Sequence, residues 1–202
     1  MPSLPASRRD EILAAARAAF FHYGFRRVSL DAIAAEVGVT RTAIYHHFPT
    51  KQDLLRAVIE GLHDAALERA RQAAGVQGPL AERIYAVLDA KKGWFYEHVH
   101  GSPHGAEIAD ESNPSNGDLL ERATRRYLGV LSLVLAEAQS AGEIDLAARG
   151  LTPELAAGYL ALSADGLAGP NGQPPPPKQY RQRLRTLARV SVAGFGGPEA
   201  SA

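Results

Sequence analysis

The chain has 202 residues, 46% hydrophobic and 22% charged, the balance of a globular protein long enough to bury a sizeable core. Its 22 Lys and Arg match its 22 Asp and Glu, so net charge selects no partner, and the absence of cysteine excludes disulfides, zinc thiolate sites and cysteine nucleophiles. The N-terminal MPSLPASRRDE lacks an apolar signal core and no run approaches a membrane span, so a cytoplasmic protein is expected, with no membrane partner.

Ser7-Arg8-Arg9-Asp10 has the form of a capping box with Asp in place of Glu. Ile12, Leu13, Ala16, Phe20 and Tyr23 follow at helical spacing, and Gly24 is a natural stop. Ser29 opens a short second helix that turns Ile33 and Val37 inward and ends near Gly38. Thr40 opens a third, which Pro49 closes. Thr50 to Asp53 starts a long fourth helix with Leu54, Leu55, Val58, Leu62 and Ala66 on one face. Beyond the break at Gly75 to Pro79, a helix is expected from Leu80 to Val99, with Leu80, Ile84, Val87, Leu88 and Phe95 in register. A short helix follows Ser102-Pro103, a cap with proline at the first helical position. The next runs from Asp118 to Ala141 with Leu120, Ala123, Tyr127, Val130, Leu131, Val134 and Ala138 inward. Another begins at Thr152-Pro153 and ends near Gly166. GPNGQPPPP (169–177) can only be a loop, and a last helix from Lys178 to Ala193 carries Leu184, Leu187 and Val190 on one side. No strand pattern occurs. The expected fold class is all-α, with about nine helices.

The second and third helices, joined through Gly38-Val39, make a helix-turn-helix. Ala34 and Gly38 are small where the helices must approach, and Val39 and Ile44 point into the shared core. The stretch from Arg41 to Phe48 that makes the third helix has no acidic residue and is too short to be stable alone. Its outward face is Arg41, Thr42, Tyr45 and His46. Residues 1–51 hold seven basic and four acidic residues, a local surplus of three that an acidic surplus of three over the rest of the chain balances. One helix fits the DNA major groove, where Arg41 could bond guanine bidentately and Thr42 could bond a base or touch a thymine methyl.

The string VSLDAIAAEVGVTRTAIYHHFPTKQDLLRAVIE closely resembles the signature of the TetR family of transcriptional regulators. The resemblance rests on Ser29, Ile33-Ala34, Gly38-Val39, Ile44-Tyr45, His47-Phe48, Lys51 and Leu54-Leu55, and covers residues 8–60. It implies a DNA-binding domain over residues 1–50 and a regulatory, ligand-binding and dimerisation domain over 51–202. It also implies that Arg41, Thr42 and Tyr45 face bases or adjacent backbone, while Ser29, Thr40, His46 and Lys51 lie near phosphates. His47 is left out, because the family position packs within the domain, and Phe48 belongs to the core. The implied function is a ligand-responsive repressor that leaves a palindromic operator when a small molecule binds.

In the second half, Ala156, Ala157, Gly158, Ala161, Ser163 and Ala164 allow close helix packing. With Leu184, Leu187 and Val190 they suit a homodimer interface. A two-fold pair would read half-sites about 34–36 Å apart. By the resemblance the intervening helices enclose an effector, and Trp94, Phe95, His98, Tyr127 and Tyr159 could line its pocket. His100, His104 and Glu107 would share a face on a continuous helix, but Gly101-Ser102-Pro103 interrupts it, so no metal is assigned. No cofactor motif is present. The alternative, a small-molecule or metal-dependent enzyme working through the His98 to Glu107 segment, lacks a catalytic constellation.

Overall fold

A computed structural model describes residues 7–108, 116–169 and 175–196. The segment GPNGQPPPP falls mostly outside them. Among the described residues every regular element is helical, and no helix is long and apolar enough to cross a membrane. The chain forms two compact units, residues 1–63 with 98–119, and residues 64–97 with 120–202.

In the first unit, α1 (Arg8–Tyr23) starts on the expected capping box. The Ser7 hydroxyl accepts the Asp10 N–H at 3.2 Å, and the Asp10 carboxylate accepts the Ser7 N–H at 3.1 Å. Ser29 caps α2 (Leu30–Val37) through the Ala32 N–H, and Thr40 caps α3 (Arg41–His47) through the Ala43 N–H. Between them Gly38 adopts a left-handed φ of 72°, which lets the Gly38 and Val39 amides return to the Ala35 and Ala34 carbonyls. The α4 helix (Lys51–Ala74) opens on a reciprocal Thr50–Asp53 pair, both amide bonds 3.0 Å long. Ile12, Ala16, Phe20, Ile33, Ile44, Phe48, Leu54 and Val58 form the core of this unit. Burying each large apolar side chain contributes about 1.5–3 kcal/mol, which offsets the poor intrinsic stability of a seven-residue helix. Tyr23, expected inward, is instead 60% exposed, because α1 turns its Ile12–Ala16–Phe20 face to the core and ends at Gly24.

The short helix after residue 100 starts later than expected, as α7 (Gly105–Ile108). Residues 101–104 form a turn instead: the Ser102 hydroxyl bonds back to the His98 carbonyl, and the Ser102 carbonyl accepts the Gly105 N–H. The turn is docked on the end of α1, where the His104 N–H donates to the Phe21 carbonyl at 3.2 Å. Gly105 is required here, since a Cβ would come within 2.1 Å of the Val99 carbonyl oxygen.

In the second unit the expected helix from Leu80 is interrupted. It consists of α5 (Leu80–Leu88), a π-helical turn (Asp89–Gly93) and the start of α6 (Trp94–His100). The widened turn lets Arg181 of α10 (Pro177–Phe195) reach Asp89 at 2.9 Å and Glu97 at 2.7 Å from one guanidinium. A Cβ on Gly93 would meet that Asp89 carboxylate at 2.0 Å. The core is built by α5, α8 (Gly117–Ser140), α9 (Pro153–Gly166) and α10, with Ile84, Val87, Leu131, Val134, Leu160 and Leu184 buried. Tyr96 stacks on Tyr180 with ring centroids 4.1 Å apart, and the Tyr180 hydroxyl donates to the Ala164 carbonyl at the end of α9.

Of the small residues of α9 the four alanines pack inside the chain, while Gly158 is half-buried and Ser163 exposed. Ala156, Ala157, Ala161 and Ala164 are buried in this core. The opposite edge of α9 presents Leu155, Tyr159 and Leu162, which are 52%, 60% and 71% exposed. On α10 Leu184 is buried and Leu187 packs against the core, while Val190 is exposed.

Candidate nucleic-acid interface

The caps on α2 and α3, the left-handed Gly38 and the buried Ile44 fix which way α3 faces. With Ile44 wholly buried, Arg41, Thr42, Tyr45 and His46 come to the surface as one continuous stripe. The helix is about 10 Å long, short enough to lie within a major groove about 12 Å wide. The side chains of the stripe are donors or amphoteric, and no carboxylate lies on the helix.

Arg41 has a defined posture. One end of its guanidinium donates to Asp31 Oδ2 at 2.9 Å, the other to the Tyr45 hydroxyl at 3.1 Å, and the group lies 5.5 Å above the Tyr45 ring centroid. The Tyr45 hydrogen bond and the Asp31 charge raise its already high pKa, so it is cationic at any working pH. Thr42 and His46 are exposed beside it. Ser29 and Thr40 are exposed as well, with their hydroxyl oxygens occupied as helix caps. His47 is exposed with its ring 6.3 Å from that of Phe48, and Phe48 is buried.

Lys51 is engaged within the unit. Its ammonium donates to the Phe25 carbonyl and lies 4.4 Å from the Phe25 ring centroid, and burial lowers its pKa. An ammonium has three donors, and this carbonyl takes one of them. Lys51 therefore ties the start of α4 to the α1–α2 loop with donors to spare for an outside anion.

The five aromatic and histidine positions expected to form a pocket do not stay together. Phe95 and Tyr127 flank the buried Lys91 ammonium, 5.8 Å and 5.5 Å from its nitrogen, and Trp94 is half-buried under the Arg69 guanidinium. Tyr127 is fully buried, its hydroxyl has no hydrogen-bond partner among the described residues, and burial pushes its pKa far up. Tyr159 stands apart on the exposed edge of α9, and His98 is exposed on α6. Sequence reasoning missed Lys91, whose Lys91-Lys92 pair reads as a solvated helix face. It missed Asp31 as well, whose only local signal is an acid in the first turn of α2. His104 Nδ1 lies 3.4 Å from Glu107, and its imidazole covers Gly24, so this pair serves the docking of α7 on α1. Among the described residues no three His, Asp or Glu side chains converge as a metal ligand set.

Comparison with known proteins agrees with this geometry. Residues 12–58 match the model of the family described as bacterial regulatory proteins, tetR family. The chain is 33% identical over 181 residues to the "Probable HTH-type transcriptional regulator ArpR" of Pseudomonas putida, covering 80% of this chain and 78% of that protein. It is 32% identical over 175 residues to the HTH-type transcriptional regulator TtgR of Pseudomonas putida, covering 79% and 77% of the two. In fold it is similar to a transcriptional regulator from Cytophaga hutchinsonii, with a TM-score of 0.75 at 14% identity, covering 91% of this chain and 96% of that one.

Proposed function

The chain belongs to the TetR family of bacterial regulatory proteins, and from that premise we propose that it is a cytoplasmic, homodimeric repressor that leaves a palindromic operator when a small molecule binds. The observation that carries the DNA reading is the exposed stripe of Arg41, Thr42, Tyr45 and His46, held in place by capped helices over a buried Ile44. Arg41, Thr42 and Tyr45 meet base edges or the adjoining backbone. Ser29, Thr40, His46 and Lys51 meet phosphates, which position the protein without specifying sequence.

The dimer reading is supported by Leu155, Tyr159 and Leu162, three exposed apolar side chains at i, i+4 and i+7 of α9, and by Val190 on α10. Monomeric proteins rarely leave such a stripe uncovered. A second copy is the occupant that a two-fold operator requires, since one short helix reads few bases. The effector reading is supported by Trp94, Phe95 and Tyr127 around the π-helical turn, a feature that recurs at functional sites. His98 and Tyr159, both exposed, lend this reading no support. Among the described residues no arrangement favours the enzyme alternative.

Selection of operator DNA from a random pool tests this function, followed by a screen for molecules that release it. Enrichment of a two-fold sequence is expected, and coupling between ligand and operator of about 1–3 kcal/mol in both directions. Failure of any sequence to enrich would overturn the DNA reading. Equal ligand affinity with and without operator would overturn induction by that ligand.

A further inference from the structure

The DNA-facing side of the N-terminal unit carries a carboxylate that needs explaining. Asp31 is exposed, lies in the first turn of α2 and is bonded to Arg41, the residue proposed above to read a base. A negative charge at a surface that meets phosphates opposes association with any DNA, whatever its sequence. It is therefore a cost to affinity unless it does something for recognition.

Its geometry indicates what that is. The Arg41 guanidinium bridges Asp31 Oδ2 at 2.9 Å and the Tyr45 hydroxyl at 3.1 Å, one bond from each terminal nitrogen. Arginine has five N–H donors, so three remain, and a bidentate contact to guanine needs two of them. An untethered arginine explores many rotamers and must be ordered on binding, an entropic loss that a fixed posture reduces. A tethered guanidinium is also less able to swing to the nearest phosphate, the contact that carries no sequence information.

We propose that Asp31 is a specificity-determining residue, which holds the Arg41 guanidinium, together with Tyr45, in the posture that reads a base and opposes DNA lacking the matching acceptors. The inference rests on the assignment of α3 as the reading helix. Where guanine presents its O6 and N7 to the free donors, Arg41 contacts it without leaving Asp31. Where the base offers no such pair, Arg41 gains nothing, and its bond to Asp31 keeps it from swinging to a phosphate instead.

The test is a double-mutant cycle on the full-length protein, with binding to the selected operator and to a scrambled duplex measured at fixed salt. Asp31→Ala should bind scrambled DNA as tightly as wild type or tighter. Its operator-to-scrambled ratio should fall roughly fivefold to tenfold. In an Arg41→Ala background, Asp31→Ala should leave that ratio unchanged. Thermal melting accompanies each variant. If Asp31 only supports the α2 N-terminus, both DNAs lose affinity equally and melting falls, which overturns the proposal. An unchanged ratio in the single variant overturns it too. So does an equal fall in the Arg41→Ala background, which would make Asp31 an independent base contact. If wild type itself shows no preference for the selected DNA, the fault lies with the DNA reading and not with Asp31.

Discussion

Helices α3 and α9 each turn one side away from the core of their own unit, and the two exposed sides differ in kind. That of α3 is polar, with Arg41, Thr42, Tyr45 and His46 held over a buried Ile44. That of α9 is apolar, with Leu155, Tyr159 and Leu162 standing out from an edge whose opposite side is closed by Ala156, Ala157, Ala161 and Ala164. A polar stripe of fixed posture suits a partner that presents hydrogen-bonding groups in a pattern. An apolar stripe suits a partner that excludes water, and it carries little directional information. On the reading proposed above, one chain separates the selection of a sequence from the association that multiplies it.

Substitutions should separate the two helices, and the largest effect is expected on α9. Leu162→Glu places a charge on the most exposed apolar position while leaving the core intact, since Leu162 is 71% exposed. The protein should melt as before and sediment as a monomer. Operator affinity should fall roughly 10²–10⁴-fold, because two linked contacts become two independent ones. A dimer that persists would place the interface elsewhere. Ile44→Ala attacks α3 from beneath. A wholly buried isoleucine costs about 2–5 kcal/mol when truncated. DNA binding should be lost, yet sedimentation should still report a dimer. Loss of dimerisation here would contradict the division of roles.

Arg41→Ala is smaller and more selective. It should cost about 1–3 kcal/mol on the operator and relax preference at one base pair in each half-site. Equal losses on operator and scrambled DNA would make Arg41 a phosphate clamp and leave specificity to Thr42 and Tyr45. Lys51→Ala should have the least effect. Binding to all sequences should weaken together, with the salt dependence flatter by about one unit of slope per subunit. The bond to the Phe25 carbonyl adds a stability loss of about 0.5–1.5 kcal/mol, visible in melting. Loss of stability with no change in salt slope would confine Lys51 to the structural role.

Residues 7–60 were legible because their signals are local. Ser7 with Asp10, Ser29, Thr40, and Thr50 with Asp53 each satisfy helix-end amides within three positions, so the order of residues nearly states the structure. The core faces of α4 and α5 could be read by periodicity as well, and that of α8 in part, since Tyr127, Leu131, Val134 and Ala138 are buried as expected but Leu119 is buried in place of Leu120. The π-helical turn could not, because it depends on Arg181 reaching Asp89 and Glu97 from α10, 92 and 84 positions away. Small residues on α9 signalled close packing correctly but not its partner, which proved to be the same chain. For the same reason Leu187, packed against that core, is a poor probe of dimerisation and Leu162 a good one. The aromatic residues carried the weakest signal. Tyr127 is buried, Tyr23 and Tyr159 are 60% exposed, and nothing in their immediate sequence distinguishes these fates.

Guanine methylation interference on the selected operator tests the central claim most directly, comparing the full-length protein with Arg41→Ala. N7 is the acceptor a bidentate arginine needs, and its methylation blocks the contact from the major groove. The account predicts two interfering guanines related by two-fold symmetry, about one helical turn apart, both silent in Arg41→Ala. Interference that is confined to one side, or that persists unchanged in Arg41→Ala, would contradict it.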